Sequence, residues 1–262
     1  MNHEAVWAVY DRQIRRGAQT GSPGARVEHV GNVIRQIGAE HDWNGIHWAD
    51  LDAATADAAI TEQVRHFTSE GRTFEWKLYT QDRPTDLADR LLAAGFVPEP
   101  PETVMVAEVA GLSVEPDVPQ GVRLVPVTDA AGVRLMADAH EIAFGEEGSG
   151  LSERLSKRVL TQLAETPESI VAVVAMAGDA PVSSARMEFY PGTDFAGLWG
   201  GGTAPEWRGK GIYRALVAYR ARVAAERGCR YLQVDASDDS RPILQRLGFV
   251  PLSVTTPYVY QP

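Results

Sequence analysis

The chain has 262 residues, a formal net charge of −10, 44% hydrophobic residues and a single cysteine. That is enough for one large domain or two ordinary ones, with a composition typical of a globular protein. An acidic chain repels polyanions, which argues against nucleic acid as a partner and mildly favours a cationic substrate. Cys229 alone cannot form an intrachain disulfide or a multi-thiolate zinc site, and it reads as a packed thiol at a strand entrance. No apolar run resembles a signal peptide or reaches membrane-spanning length, so cytoplasm is the expected location.

In chain order, the first clear signal is a helical segment around Ala56–Thr68, preceded by the acidic, glycine-free stretch Trp48–Asp52. Phe74–Tyr79 follows as a strand, Asp86–Ala94 as a helix, then Gly95-Phe96-Val97-Pro98 and a strand over Thr103–Val109. Residues 111–121, rich in glycine and proline, form a connector. Beyond it, Val122–Val127 alternates as a strand, Ala130–Phe144 and Ser152–Leu163 read as helices, and Ile170–Met176 is a buried strand. Gly178-Asp179 turns the chain into Val182–Phe189, and Phe195–Gly202 is the next strand.

A helix then begins near Ile212. Ile212, Leu216, Tyr219 and Val223 share one face, which leaves Arg220, Arg222 and Arg227 to solvent, and Gly228 is its stop. Tyr231–Val234 reads as a strand. Ser240 caps a short helix ending at Gly248, and Val250–Tyr260 is extended. Gly248-Phe249-Val250-Pro251 repeats Gly95-Phe96-Val97-Pro98 in the same helix-to-strand context, which suggests an internal duplication. The expected organisation is therefore 1–110, a linker at 111–121, and 122–262, with a mixed α/β sheet.

The most informative segment joins the glycine-rich strand to the helix: Trp207-Arg208-Gly209-Lys210-Gly211-Ile212-Tyr213-Arg214. Two glycines one residue apart let consecutive amides point into one concavity, beside three basic side chains and the positive end of a helix. It is a phosphate or pyrophosphate cradle. A P-loop requires a Ser or Thr after the lysine, and Gly211-Ile212 follows Lys210 instead. A dinucleotide fingerprint requires a third glycine where Arg214 stands. The alternative without a ligand is a glycine-rich turn with solvated charges.

The arrangement Arg208-Gly209-Lys210-Gly211-Ile212-Tyr213 resembles the acyl-coenzyme A loop of the GCN5-related N-acetyltransferases (GNAT), Arg/Gln-x-x-Gly-x-Gly/Ala, in all but the last position. The resemblance covers nearly all of 122–262. The first half resembles a degenerate copy without the cofactor loop, as in tandem members similar to mycothiol synthase. It implies a mixed, mostly antiparallel GNAT-type sheet flanked by helices, in tandem. It also implies acetyl transfer from acetyl-CoA to a primary amine of a small molecule, peptide or protein, by direct transfer in a ternary complex without a metal. A non-catalytic acyl-CoA-binding regulator is the alternative.

By the same resemblance Gly202, Thr203 and Ala204 lie beside the pantetheine and acetyl group, with Gly200–Gly202 leaving room for the arm. The amides from Gly209 to Tyr213 hold the pyrophosphate, and Arg208 or Arg214 neutralises its charge. Ser237 stands where members often carry an Asn that contacts the arm. Leu244 replaces the Tyr that commonly protonates the departing thiolate, and Tyr258 is the replacement candidate, with Tyr260, Tyr213 and Ser240 behind it. Glu188, on the same strand face as Arg186, is the preferred general base, with Asp235 as the alternative. Glu188 has a plain reading as well, a salt bridge to Arg186. His140-Glu141 borders the acceptor site in the family, and the scattered histidines give no metal-binding pair. Neither the acceptor nor the oligomeric state is legible.

Overall fold

The computed structural model describes residues 1–39, 42–145 and 150–262. The chain opens with helix α1 (His3–Tyr10), capped by the Asn2 side chain and continued by one π-helical turn over Asp11–Arg16. Three short strands follow, β1 (Arg26–Val30), β2 (Val33–Ile37) and β3 (Gly45–Ala49), then α2 (Ala56–Ser69), β4 (Phe74–Tyr79), α3 (Leu87–Ala93), β5 (Val97–Pro98) and β6 (Glu102–Glu108). The second half comprises β7 (Val122–Val127), α4 (Ala130–Phe144), α5 (Leu151–Glu165), β8 (Ile170–Ala177), β9 (Ala180–Phe189) and β10 (Phe195–Thr203). It closes with α6 (Ile212–Glu226), β11 (Tyr231–Ala236), α7 (Arg241–Arg246) and β12 (Val250–Tyr260).

All these strands join one sheet in the order β1-β2-β3-β4-β12-β6-β11-β10-β9-β8-β7, with β5 beside β12. Residues 111–121, the expected linker, fall between β6 and β7, and the sheet runs across that division. β6, from the first half, lies between β11 and β12 of the second. β12 pairs over Val250–Thr255 with β6 and over Thr255–Tyr260 with β4. Each half thus lends its last strand to the other, and the two copies of Gly-Phe-Val-Pro mark where the two exchanged runs begin.

Two parallel pairs break the otherwise antiparallel pattern, one in each half: β3 with β4 and β10 with β11. Each is joined only at its beginning, over Gly45–Ile46 with Glu75–Trp76 and over Phe195–Gly197 with Tyr231–Gln233. Past those residues the strands diverge, so each half contains a V-shaped opening in the sheet.

The cores follow from strand alternation. On one face α6 and α7 cover β10 and β11 through Leu198, Val217, Ala221, Leu232, Leu244 and Phe249. α4 and α5 pack on β7 and β8 through Val133, Val159, Ala172 and Val174. In the first half Ile60, Phe67, Leu91, Phe74 and Trp76 form the cluster that also receives Tyr258. The seam between halves is sealed by α1, whose Val6 and Tyr10 meet Tyr79, Val104, Phe195 and Tyr231.

The helix α6 differs from its predicted orientation at one place. Arg220, expected at the surface, is 1% exposed. Ala215, Ala218, Ala221 and Ala224 let the helix bury more than one face, which carries Arg220 inward. Its guanidinium donates to the carbonyls of Leu216 (3.0 Å) and Arg186 (3.1 Å). Burial lowers its pKa to about 10, so it stays charged at neutral pH.

Candidate active site

Strand β10 carries a bulge between Trp199 and Gly202, with Gly200 at φ +57°. At Gly202 a Cβ would fall 2.5 Å from the Phe144 ring and 2.8 Å from Ala143, so this glycine lets α4 press against the strand. The Gly202 carbonyl accepts from the Ser183 hydroxyl at 2.5 Å, and the Ala204 amide donates to the Val182 carbonyl at 2.9 Å. On its other side, β10 has no paired residue beyond Gly197. That leaves a free strand edge of the kind an extended ligand can join.

After β10 the chain makes a 3-10 turn over Pro205–Trp207 and enters the cradle. Gly209 and Gly211 have φ of +74° and +89°, a conformation that only glycine adopts without strain. Gly211 caps α6 and the first bond inside the helix runs from the Ala215 amide to the Gly211 carbonyl, 3.0 Å. The amides of Gly211, Ile212, Tyr213 and Arg214 are therefore the open first turn, at the positive end of the helix.

The side chains of the cradle divide their work differently from the sequence expectation. The Arg208 guanidinium donates to the carbonyls of Thr203 (3.0 Å) and Ala143 (2.9 Å), which fastens the loop to β10 and α4. Arg214 reaches back to Asp117 of the linker, 2.8 Å. Lys210 lies over the Trp207 ring, 4.4 Å from its centroid, and is exposed. Ser237 sits beyond β11, where its hydroxyl accepts weakly from the Ser240 amide at 3.4 Å, as a turn residue. Leu244 is buried among Val234 and Phe249.

The opening between β10 and β11 leads to a cavity of about 360 Å³. Trp199, two residues past the last paired residue of β10, lines it, as do Gln233 and Asp235 of β11. The opposite wall comes from the first half: Glu75 and Lys77 of β4, Glu99, Glu102 of the exchanged strand β6, and His47 of β3. Tyr10, Gln13 and Ile14 close it from above. Both V-shaped openings thus face one chamber.

Charge within it is organised in two groups. In one, Arg158 grips both oxygens of Glu188 at 3.0 and 2.9 Å and approaches Asp42 at 3.3 Å, while Arg186 adds a contact to Glu188 at 3.2 Å. In the other, Lys77 forms an ion pair with Asp235, whose side chain is 3% exposed. Burial alone would lower the Lys77 pKa, but Asp235 beside it reverses the sign and holds it above the ordinary value. Burial also lowers the pKa of His47 to about 3, so its imidazole is neutral.

Among the described residues Glu102 has no ion-pair partner within contact distance. Burial first, and the neighbouring Asp235 second, raise its pKa from 4.5 to about 7. Glu75, which accepts from the Trp43 indole N–H at 2.8 Å, is likewise raised by burial.

Two expectations for catalytic side chains change as a result. Glu188 does line the cavity, but both its oxygens are engaged by guanidinium groups, which makes it an anchor for Arg158 and Arg186. Tyr258 is 8% exposed and belongs to the apolar cluster with Phe74 and Trp76. Alternation along β12 turns Pro257 toward the cavity and Tyr258 to the other face. Glu102 was missed because it belongs to the half that lacks the loop, and only the exchange of β6 brings it here. His140, 9% exposed, packs at a tilt against the Phe144 ring, 4.5 Å between centroids, and is not among the cavity residues.

Residues 134–249 match the model of the acetyltransferase (GNAT) family. The match takes in most of the second half, from α4 to the end of α7. Among solved structures, a GCN5-related N-acetyltransferase from Kribbella flavida superposes with a TM-score of 0.70 at 19% identity, covering 97% of this chain and 94% of that one. A functionally unknown conserved protein from Staphylococcus epidermidis gives 0.68 at 12% identity, covering 98% and 99%. A tandem GNAT protein from the clavulanic acid biosynthesis pathway gives 0.62 at 13% identity, covering 99% and 96%. These likenesses are of fold, and they extend over both halves, so the chain has the fold of a tandem GNAT protein. A search of curated protein sequences finds no match. The family transfers acetyl groups from acetyl-CoA, and among the described residues no helix is long and apolar enough to cross a membrane.

Proposed function

We infer that the protein moves an acetyl group from acetyl-CoA to a primary amine by direct transfer within a ternary complex. The observation that carries this reading is the single opening between β10 and β11. The cradle amides of Gly209–Tyr213 lie where β10 ends, and the carboxylate-lined chamber lies where the two strands part.

The chain's own residues supply four things. The open first turn of α6 holds the diphosphate, with the exposed Lys210 as counter-charge. The unpaired edge of β10 from Trp199 to Ala204 accepts the pantetheine arm as an added strand. The chamber excludes bulk water and places the acceptor nitrogen against the thioester, an effect worth on the order of 7–11 kcal/mol in well-oriented model reactions. Glu102 takes the proton of the acceptor ammonium. A carboxyl with a pKa of about 7 is half ionised at neutral pH and is still basic enough to accept that proton. The free amine then attacks the thioester carbonyl. The carbon–sulfur bond breaks, and the nitrogen's second proton leaves with the sulfur as the free thiol of CoA. Leu244, inside the core, takes no part.

Thiol release from acetyl-CoA over a panel of primary amines tests the reading, with mass measurement of the acylated product. Transfer to at least one amine supports it. Tight CoA binding without transfer to any amine would favour the regulatory alternative.

A further inference from the structure

The chamber's charges do not cancel. Its arginine end balances itself, two guanidinium groups against Asp42 and Glu188. At the other end Glu75, Glu99, Glu102 and Asp235 face one cation, Lys77. Four carboxyl groups against one cation put the acidic excess at this end, and all but Asp235 come from the first half. Such an excess lining a cleft attracts positive charge.

The hydrogen-bonding inventory points the same way. Asp235 Oδ1 and Gln233 Oε1 have no donor, although Asp235's side chain is 3% exposed and Gln233 2%. Both residues line the chamber, and a buried acceptor without a donor is costly unless an occupant supplies one. Among the described residues no three His, Cys, Asp or Glu side chains converge on a metal position. The N–H groups of an organic cation would supply the missing donors. The rings of Tyr10, Trp43 and Tyr79 in the wall suit a cation as well.

The spacing is set by the strands. Asp235 is opposite Val104, so Glu102 is its diagonal neighbour, about 7–8 Å away between backbones. Glu75 lies two residues from Lys77 along β4, about 7 Å. We propose that the acceptor is a small amine with a second, non-reacting cationic group, and that Glu75 and Glu99 of the first half hold that group. The reacting nitrogen lies at Asp235 and Glu102, beside the opening through which the acetyl group arrives, with a spacer of about four carbons between the two nitrogens. The location of the reacting end rests on the transferase reading; the preference for a dication rests on the chamber alone. On this view the half without a cofactor loop is the acceptor-binding half.

The test is calorimetric titration of the full chain with 1,4-diaminobutane and with 1-aminobutane, alongside thiol release from acetyl-CoA with each. The diamine is expected to bind at least about tenfold more tightly than the monoamine, the effect of a paired and desolvated second charge. In Glu75→Gln/Glu99→Gln, whose isosteric amides keep the Trp43 contact, that ratio is expected to fall below about threefold, with a thermal midpoint no lower than the wild type's as the check on folding. Equal affinities for the two amines in the wild-type protein would overturn the proposal, as would a ratio that survives the double substitution. Preferential diamine binding without thiol release on either amine would sink the transferase reading and leave the dication site standing.

Discussion

Replacing Glu102 by Gln separates a raised carboxyl from an ordinary one, and its effect on stability can be worked out in sign and size. In the folded chain the Glu102 pKa is about 7 against an ordinary 4.5, because burial and Asp235 disfavour its charge. Between those values the folded state keeps a proton that the unfolded state has lost, so wild-type stability falls as pH rises from 4.5 to 7. Below 4.5 the penalty is absent and above about 7 it is complete. The gap corresponds to about 3 kcal/mol, and since the side chain is only partly buried, screening brings this to about 1–2 kcal/mol. The amide of the E102Q variant carries no charge and escapes the penalty. Denaturant unfolding of both proteins at about pH 5 and about pH 8 should therefore show E102Q gaining about 1–2 kcal/mol on the wild type between the two. The same substitution removes the proton acceptor, so kcat/KM at about pH 8 should fall about 10²–10⁴-fold. The wild-type rise of kcat/KM through about pH 7 should vanish with it. A stability difference that is the same at both pH values, together with an unaltered pH–rate profile, would refute the assignment.

Lys77→Met leaves Asp235 as an unpaired buried carboxylate and should cost about 3–5 kcal/mol, read as a lowered denaturant midpoint. Lys77→Met/Asp235→Asn should recover most of that loss, and failure to do so would show that Lys77 matters by packing and not by charge. Tyr258→Phe should leave kcat within about threefold, since the ring belongs to the first half's core. A loss of about tenfold or more with intact folding would return Tyr258 to the reaction.

Elements that are long and locally periodic were legible, and most of them lie in the second half. The helix Ala130–Phe144 and the first half's strand Phe74–Tyr79 have the same bounds in sequence and structure, and the loop that opens α6 was readable from two glycines and a helix start. The strands β1 to β3 escaped because they are five residues each and partly polar. Gly31-Asn32 between Val30 and Val33, with Gly31 at φ +57°, was the two-residue hairpin signal that marks them. Strand exchange was not legible at all, since Glu102–Glu108 has the same local pattern whichever half it joins. Pairing is a long-range property, and it alone carries Glu102 to Asp235. Arg220 misled the helical wheel because a wheel with alanines on several faces does not say how many of them the sheet will cover.

The central claim is that the amides around Gly209 and Gly211 hold the diphosphate of CoA and that the first half holds none. Isothermal titration of the full chain with CoA tests it most directly. One site per chain is expected, lost in Gly211→Glu while the far-ultraviolet spectrum is kept, because a carboxylate at the helix start repels the diphosphate. Undiminished binding in that variant, or two equivalent sites in the wild-type chain, would contradict it.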